Sequence, residues 1–171
     1  IVLFGCTGKT EQAKAKYVFY FIGDGMGVNQ VIGTEMYLAE LEGRIGTKSL
    51  SFTSFPVRNY LTTYSATNAV TCSAAAGTAL AAGTKTQNGR IGMKQDSSVL
   101  YSIACKAKQA GKAVGVTTSV AINHATPAVF YAHQPDRQMY YEIGTDAVLI
   151  GETLMVAANK KARLAELRGT L

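Results

Sequence analysis

Tyr17-Val18-Phe19-Tyr20-Phe21-Ile22-Gly23-Asp24-Gly25-Met26-Gly27 is the stretch on which the fold turns. Its first six residues are apolar or aromatic and β-prone on both faces. That pattern predicts a central strand covered by helices on either side. The strand is expected to end at Gly23 and to present Asp24 at its carboxyl end, where ligands gather in an open parallel sheet. A carboxylate placed directly after a buried strand is costly unless it meets a cation, and the flanking glycines leave room for one. The bland alternative is a helix N-cap. A dinucleotide site is a poor fit, because Gly23-x-Gly25-x-Gly27 lacks the third glycine spacing of that fingerprint.

Working outward, Val28 to Leu41 carries apolar residues at helical spacing, and Tyr60 to Tyr64 is predicted as a strand. Ser73 opens a run of small residues, Ala74-Ala75-Ala76-Gly77-Thr78-Ala79, that lets a helix approach its neighbour closely and stops at Gly83. Residues 84–96 are predicted as loop, Ser97 to Ala110 as an amphipathic helix ended by Gly111, and residues 112–118 as a second buried strand. Strands alternating with helices at these lengths give an α/β domain with a mostly parallel sheet.

Composition limits the possibilities further. The 171 residues suit one domain, and 47% hydrophobic against 16% charged residues is enough to bury a core. No apolar run reaches the roughly 18 residues of a spanning helix. The net charge of +6 (17 basic, 11 acidic) is scattered and not interleaved with aromatics, so no nucleic-acid partner is expected. Two histidines, His124 and His133, cannot supply a three-imidazole site, and the three cysteines form no CxxC pair. Leu3-Phe4-Gly5-Cys6 has the look of the end of a lipoprotein signal, with 1–6 as its remnant and 7–16 as a polar tether. Lipidated Cys6 would then attach a domain to a membrane rather than thread it through.

Two further segments hold reactive side chains. Ser73 stands at a helix mouth whose amides favour an anion, as an N-cap or as a nucleophile for phosphate. With no histidine close in sequence, metal activation is the expected route. Asn123-His124-Ala125-Thr126-Pro127-Ala128 follows the second strand. His124 and Thr126 alternate toward one pocket, and Arg137 further on offers a planar fork for two phosphate oxygens.

Together, Phe21-Ile22-Gly23-Asp24-Gly25-Met26-Gly27, Ser73-Ala74-Ala75-Ala76-Gly77-Thr78-Ala79 and Thr117-Thr118…His124-Ala125-Thr126-Pro127-Ala128…Ala132-His133 closely resemble the bacterial alkaline phosphatases, over about residues 16–143. The resemblance implies an α/β three-layer sandwich with a mostly parallel central sheet, incomplete here. It also implies a metal-dependent phosphomonoester hydrolase working through a phosphoserine, with two zinc ions and one magnesium. By motif match Asp24 is the carboxylate bridging a zinc and the magnesium, and Ser73 is the nucleophile. Thr126 is a magnesium-site ligand, Arg137 the phosphate clamp, and His124 lies beside the third metal, where members carry Asp or His. Cys72 stands where many members have an Asp that orients the arginine, so a looser hold on Arg137 is expected.

The remaining metal ligands of such enzymes lie in a second half, so 17–144 is expected to be the N-terminal part of the domain, inactive alone. Residues 145–171 are expected to form a divergent basic helical tail. Phosphomonoesters are the expected substrates, a homodimer the expected full-length form, and the periplasm or cell envelope of a bacterium the expected location. A phosphodiesterase of the same superfamily and a silent, lipid-anchored phosphate-binding domain are the competing expectations.

Overall fold

A computed structural model describes residues 15–149 and 154–157. The expectations for Cys6, the tether through residue 14 and the tail from 158 onward lie outside the described residues. Five α-helices and two strands occur among those described: α1 Val28–Leu41, α2 Ser73–Ala82, α3 Ile103–Gln109, β1 Gly115–Thr118, α4 Ala125–Ala128, α5 Tyr140–Leu149 and β2 Leu154–Ala157, with a single 3-10 turn at Phe52–Ser54.

α1 has the predicted bounds. Its N-cap is Gly27, whose amide donates to Gln30 Oε1 at 3.0 Å, so Asp24 is not the cap. α2 starts at Ser73 with Cys72 as N-cap and ends at Gly83 in the left-handed conformation, φ 72°. α3 is shorter than predicted. Ser102 caps it, accepting from the Cys105 amide at 3.2 Å, and the preceding Val99–Tyr101 stays extended, with Val99 in an antiparallel bridge to Met93. A serine that can satisfy a first-turn amide is a stronger start signal than the apolar spacing upstream of it.

β1 and β2 pair in parallel, Gly115 opposite Leu154 through Thr118 opposite Ala157. A parallel pair needs a long crossover, and α4 and α5 occupy it. The helix expected over 145–171 is corrected here. The helix begins at Tyr140 and ends at Leu149, and Leu154-Met155-Val156-Ala157 is a strand. Four consecutive apolar residues fit a strand of a covered parallel sheet as well as a helix turn, and the β1 edge decides between them.

The core is built mostly of small residues. Ala74 and Ala81 of α2, Ala125 and Ala128 of α4, Val129, Ala132, Ile91 and Ile143 pack as one buried cluster. Gly77 lies against Val129, and a Cβ added there would sit 3.0 Å from the nearest valine methyl, so α2 and α4 touch almost backbone to side chain. Ser102 is buried beneath them and donates to the Phe130 carbonyl at 2.7 Å.

The leading apolar run departs from expectation. Tyr17–Ile22 is extended, but no described strand pairs with it, and its side chains face solvent: Val18 is 82% and Phe21 88% exposed. Tyr20 alone of the aromatics there finds a partner in the described core, its ring meeting Phe130 edge-on at 6.2 Å. Tyr60–Tyr64 is likewise extended, unpaired among the described residues, and exposed. Both were expected as strands. The apolar pattern specifies what these segments bury against, not that the partner lies among the described residues.

Candidate active site

Asp24 follows the extended run in a turn closed by a hydrogen bond from the Met26 amide to the Gly23 carbonyl at 3.2 Å. Ser73 enters from the N-terminus of α2, and its Oγ donates to Asp24 Oδ1 at 3.2 Å. Thr126 enters from the first turn of α4, and its Oγ1 donates to Asp24 Oδ2 at 2.7 Å. Pro127, next on that turn, costs the short helix nothing, because first-turn amides have no intrahelical acceptor. One carboxylate therefore gathers two hydroxyls, one on each oxygen, from segments 49 and 102 residues away.

The electrostatics agree with the geometry. The Thr126 hydrogen bond holds the Asp24 carboxyl below its ordinary range. Partial burial pushes the other way, and the Ser73 hydroxyl and the charges of His124 and Arg137 add to the lowering. Arg137 is half-buried, and among the described residues its guanidinium makes no ion pair or hydrogen bond. Its field nevertheless reaches both Asp24 and Cys72. Ser73, Asp24 and Thr126 thus meet directly, and the charges of His124 and Arg137 are close enough to be felt at Asp24. His133 stands apart: its Nδ1 is 2.9 Å from the Gly92 carbonyl and its ring packs against Tyr101.

Cys72 sits beside Ser73. Burial raises its thiol pKa, but the amides of Ala75, Gly89 and Ala74 and the Arg137 charge outweigh that and lower it overall. Of those amides, Gly89 makes the hydrogen bond, 3.1 Å to the sulfur. Asn88 and Gly89 were read from sequence only as loop. The Asn-Gly dipeptide signals a turn, but nothing in the lettering says that this turn holds the segment that opens α2.

Two observations bear on metal binding. His124 is the N-cap of α4 without making a side-chain cap, and its Nδ1 is buried with no hydrogen-bond partner. Such an orphan suits a ligand role. The carboxylate and hydroxyl oxygens of Asp24 and Thr126 are the hard donors magnesium prefers. Zinc asks for more, about four nitrogen, sulfur or carboxylate ligands. Among the described residues no group of three or more His, Cys, Asp or Glu could hold a metal. The donors present fit part of an oxygen-rich site and do not complete a zinc site. No helix of the described residues is long and apolar enough to cross a membrane.

The fold is similar to that of known alkaline phosphatases. The alkaline phosphatase family model matches residues 15–159, past the point near 144 where the likeness was expected to end. The Atlantic cod (Gadus morhua) alkaline phosphatase is 34% identical over 151 residues, covering 81% of this chain and 32% of the cod protein. The solved alkaline phosphatase of the Antarctic bacterium TAB5 superposes with a TM-score of 0.69 at 30% identity, over 86% of this chain and 43% of that one. A variant of the same Antarctic enzyme, TM-score 0.68 at 30% identity and covering 85% of this chain and 42% of that one, is described with magnesium bound. The chain belongs to the alkaline phosphatase family. It spans about a third of the cod protein and less than half of the Antarctic one.

Proposed function

We propose that these residues form the nucleophile half of a metal-dependent phosphomonoesterase, carried on an incomplete three-layer α/β sandwich with a mostly parallel sheet. The observation that carries the proposal is the Asp24 carboxylate held between the Ser73 and Thr126 hydroxyls, with the Arg137 field upon it. Ser73 Oγ gives up its proton to solvent and attacks phosphorus, the P–O bond to the alcohol breaks, the departing oxygen takes a proton from water, and the phosphoryl group stays on the serine until water removes it as inorganic phosphate. Arg137 grips two phosphoryl oxygens with its planar fork, and the positive end of the α2 dipole favours the same charge. Asp24 and Thr126, with His124 beside them, would hold magnesium, and Asp24 would also lend a carboxylate ligand to a zinc. Bound divalent cations supply acidification of the serine hydroxyl and neutralisation of phosphoryl charge.

Two zinc ions and one magnesium are the proposed complement, most of whose ligands these residues do not provide, so the 171-residue chain alone turns nothing over. Attachment through Cys6 in a bacterial envelope and a homodimeric full-length form belong to the same proposal.

Inorganic phosphate titrated into the chain with and without zinc and magnesium is the test. Binding that needs metal and falls in Ser73→Ala and Arg137→Ala is expected. Binding indifferent to metal removal favours a silent phosphate-binding domain instead. Metal-dependent hydrolysis of p-nitrophenyl phosphate by the 171-residue chain overturns the half-site claim, and a preference for bis(p-nitrophenyl) phosphate favours a phosphodiesterase.

A further inference from the structure

Residues 88–91 run between the nucleophile segment and the loop that carries Arg137, and they are bonded to both. Toward the nucleophile, the Asn88 side chain acts as a two-pronged bridge. Its Oδ1 accepts from the Cys72 amide at 3.1 Å and its Nδ2 donates to the Val70 carbonyl at 3.0 Å. Gly89 adds its own amide to the Cys72 sulfur at 3.1 Å. Toward the arginine, the Gly89 carbonyl accepts from the Arg137 amide at 2.8 Å, and Ile91 exchanges both backbone bonds with Gln134, at 2.9 and 3.0 Å. Gly89 thus faces Cys72 with its N–H and Arg137 with its C=O. It does so at φ 92°, a conformation that any residue with a Cβ adopts only under strain.

We propose that Asn88 and Gly89 are positioning residues that set the separation between the Ser73 hydroxyl and the Arg137 guanidinium while touching no substrate themselves. The proposal rests on the phosphoryl-site reading above. Ser73 follows directly on the residue whose amide and sulfur the clasp holds. Arg137 has no side-chain partner among the described residues, so its loop backbone is what locates it. A phosphoryl group must be met by nucleophile and guanidinium at once, and misplacing either by about 1 Å costs on the order of a hundredfold.

The experiment is a double-mutant cycle on inorganic phosphate affinity, measured by calorimetry with magnesium and zinc present, combined with hydrogen exchange at the Cys72 and Arg137 amides. Asn88→Ala removes both prongs, and Asn88→Asp keeps the acceptor for the Cys72 amide while losing the donor to Val70. Asn88→Ala is expected to weaken phosphate binding by about 10–100-fold when Arg137 is present and far less in Arg137→Ala. Cys72 and Arg137 amide exchange should accelerate together while α5 amides keep their protection, and Asn88→Asp should recover part of the affinity. Should Asn88→Ala lose its fold, Asn88→Asp and Gly89→Ala carry the same cycle. Additive losses, or unchanged exchange at both amides, overturn the clasp with the phosphoryl site intact. A wild-type chain that binds no phosphate overturns the phosphoryl site itself and the clasp with it.

Discussion

Ser73 Oγ stands 3.2 Å from a carboxylate oxygen of Asp24, although 49 residues separate the two in the chain. Neither residue needs the other for its local structure, since Cys72 and not Ser73 caps α2, and Gly27 and not Asp24 caps α1. Their meeting places the turn before α1 against the N-terminus of α2. It is also what turns two ordinary polar residues into a candidate site.

The Asp24 carboxyl should respond to its hydroxyl donors. Thr126→Val removes the largest lowering influence, so the carboxyl should titrate higher than in the wild type, as followed by carbon NMR of the side chain. A carboxyl held below its unfolded value of 3.8 adds stability that is fully present above about that pH and fades as pH falls through the lowered folded value. The stability difference between wild type and Thr126→Val should therefore shrink on acidification below about pH 4. An Asp24 titration unmoved by the substitution would contradict the hydrogen-bond origin of the shift.

Cys72→Asp should tighten phosphate binding. A thiol is a poor partner for a guanidinium, whereas a carboxylate at the same place can order Arg137 through a charge-assisted hydrogen bond. Even about 1 kcal/mol of such ordering corresponds to roughly a fivefold gain in affinity. Unchanged phosphate affinity by calorimetry would mean that the sulfur already serves.

Ser102 joins α3 to the residues after α4, donating to the Phe130 carbonyl and accepting from the Cys105 amide. Ser102→Ala removes a cap and leaves the part-buried Phe130 carbonyl with only the weaker Cys105 thiol donor at 3.7 Å, which should cost about 1–3 kcal/mol in urea denaturation. Ile91→Ala, at a fully buried side chain, should cost about 2–5 kcal/mol. Losses under about 0.5 kcal/mol at both positions would show that this core does not carry the fold.

The exposed run Tyr17–Phe21 is an apolar surface of the kind that binds hydrophobic dyes and promotes association. The 171-residue chain should bind such a dye strongly. Val18→Lys with Phe21→Lys should reduce both dye binding and aggregation, as measured by fluorescence and light scattering.

What the sequence could reveal divides along physical lines. Asp24 among glycines, Ser73 before a small-residue run and Thr126 beside Pro127 were legible because each is a local pattern with a chemical reason. Their convergence was legible only through the family likeness. The burial expected for Tyr17–Ile22 was not, because two apolar faces announce a need for cover and say nothing of where the cover comes from. The start of α3 was misread because a buried serine cap outweighs periodicity. The strand at Leu154–Ala157 was misread because four apolar residues carry no period of their own. The Asn88–Gly89 turn was visible as a turn, and its hold on Cys72 and Arg137 was not, since a side-chain amide bridging two backbone groups leaves no trace in spacing.

The central claim is that Ser73, Asp24 and Arg137 surround one phosphoryl position. Its most direct test is a crystal of the chain grown with magnesium and soaked in tungstate, a phosphate mimic located by anomalous scattering. The account predicts a tungsten peak within hydrogen-bond reach of both the Ser73 hydroxyl and the Arg137 guanidinium. A peak elsewhere on the surface, with those two groups facing apart, would contradict it.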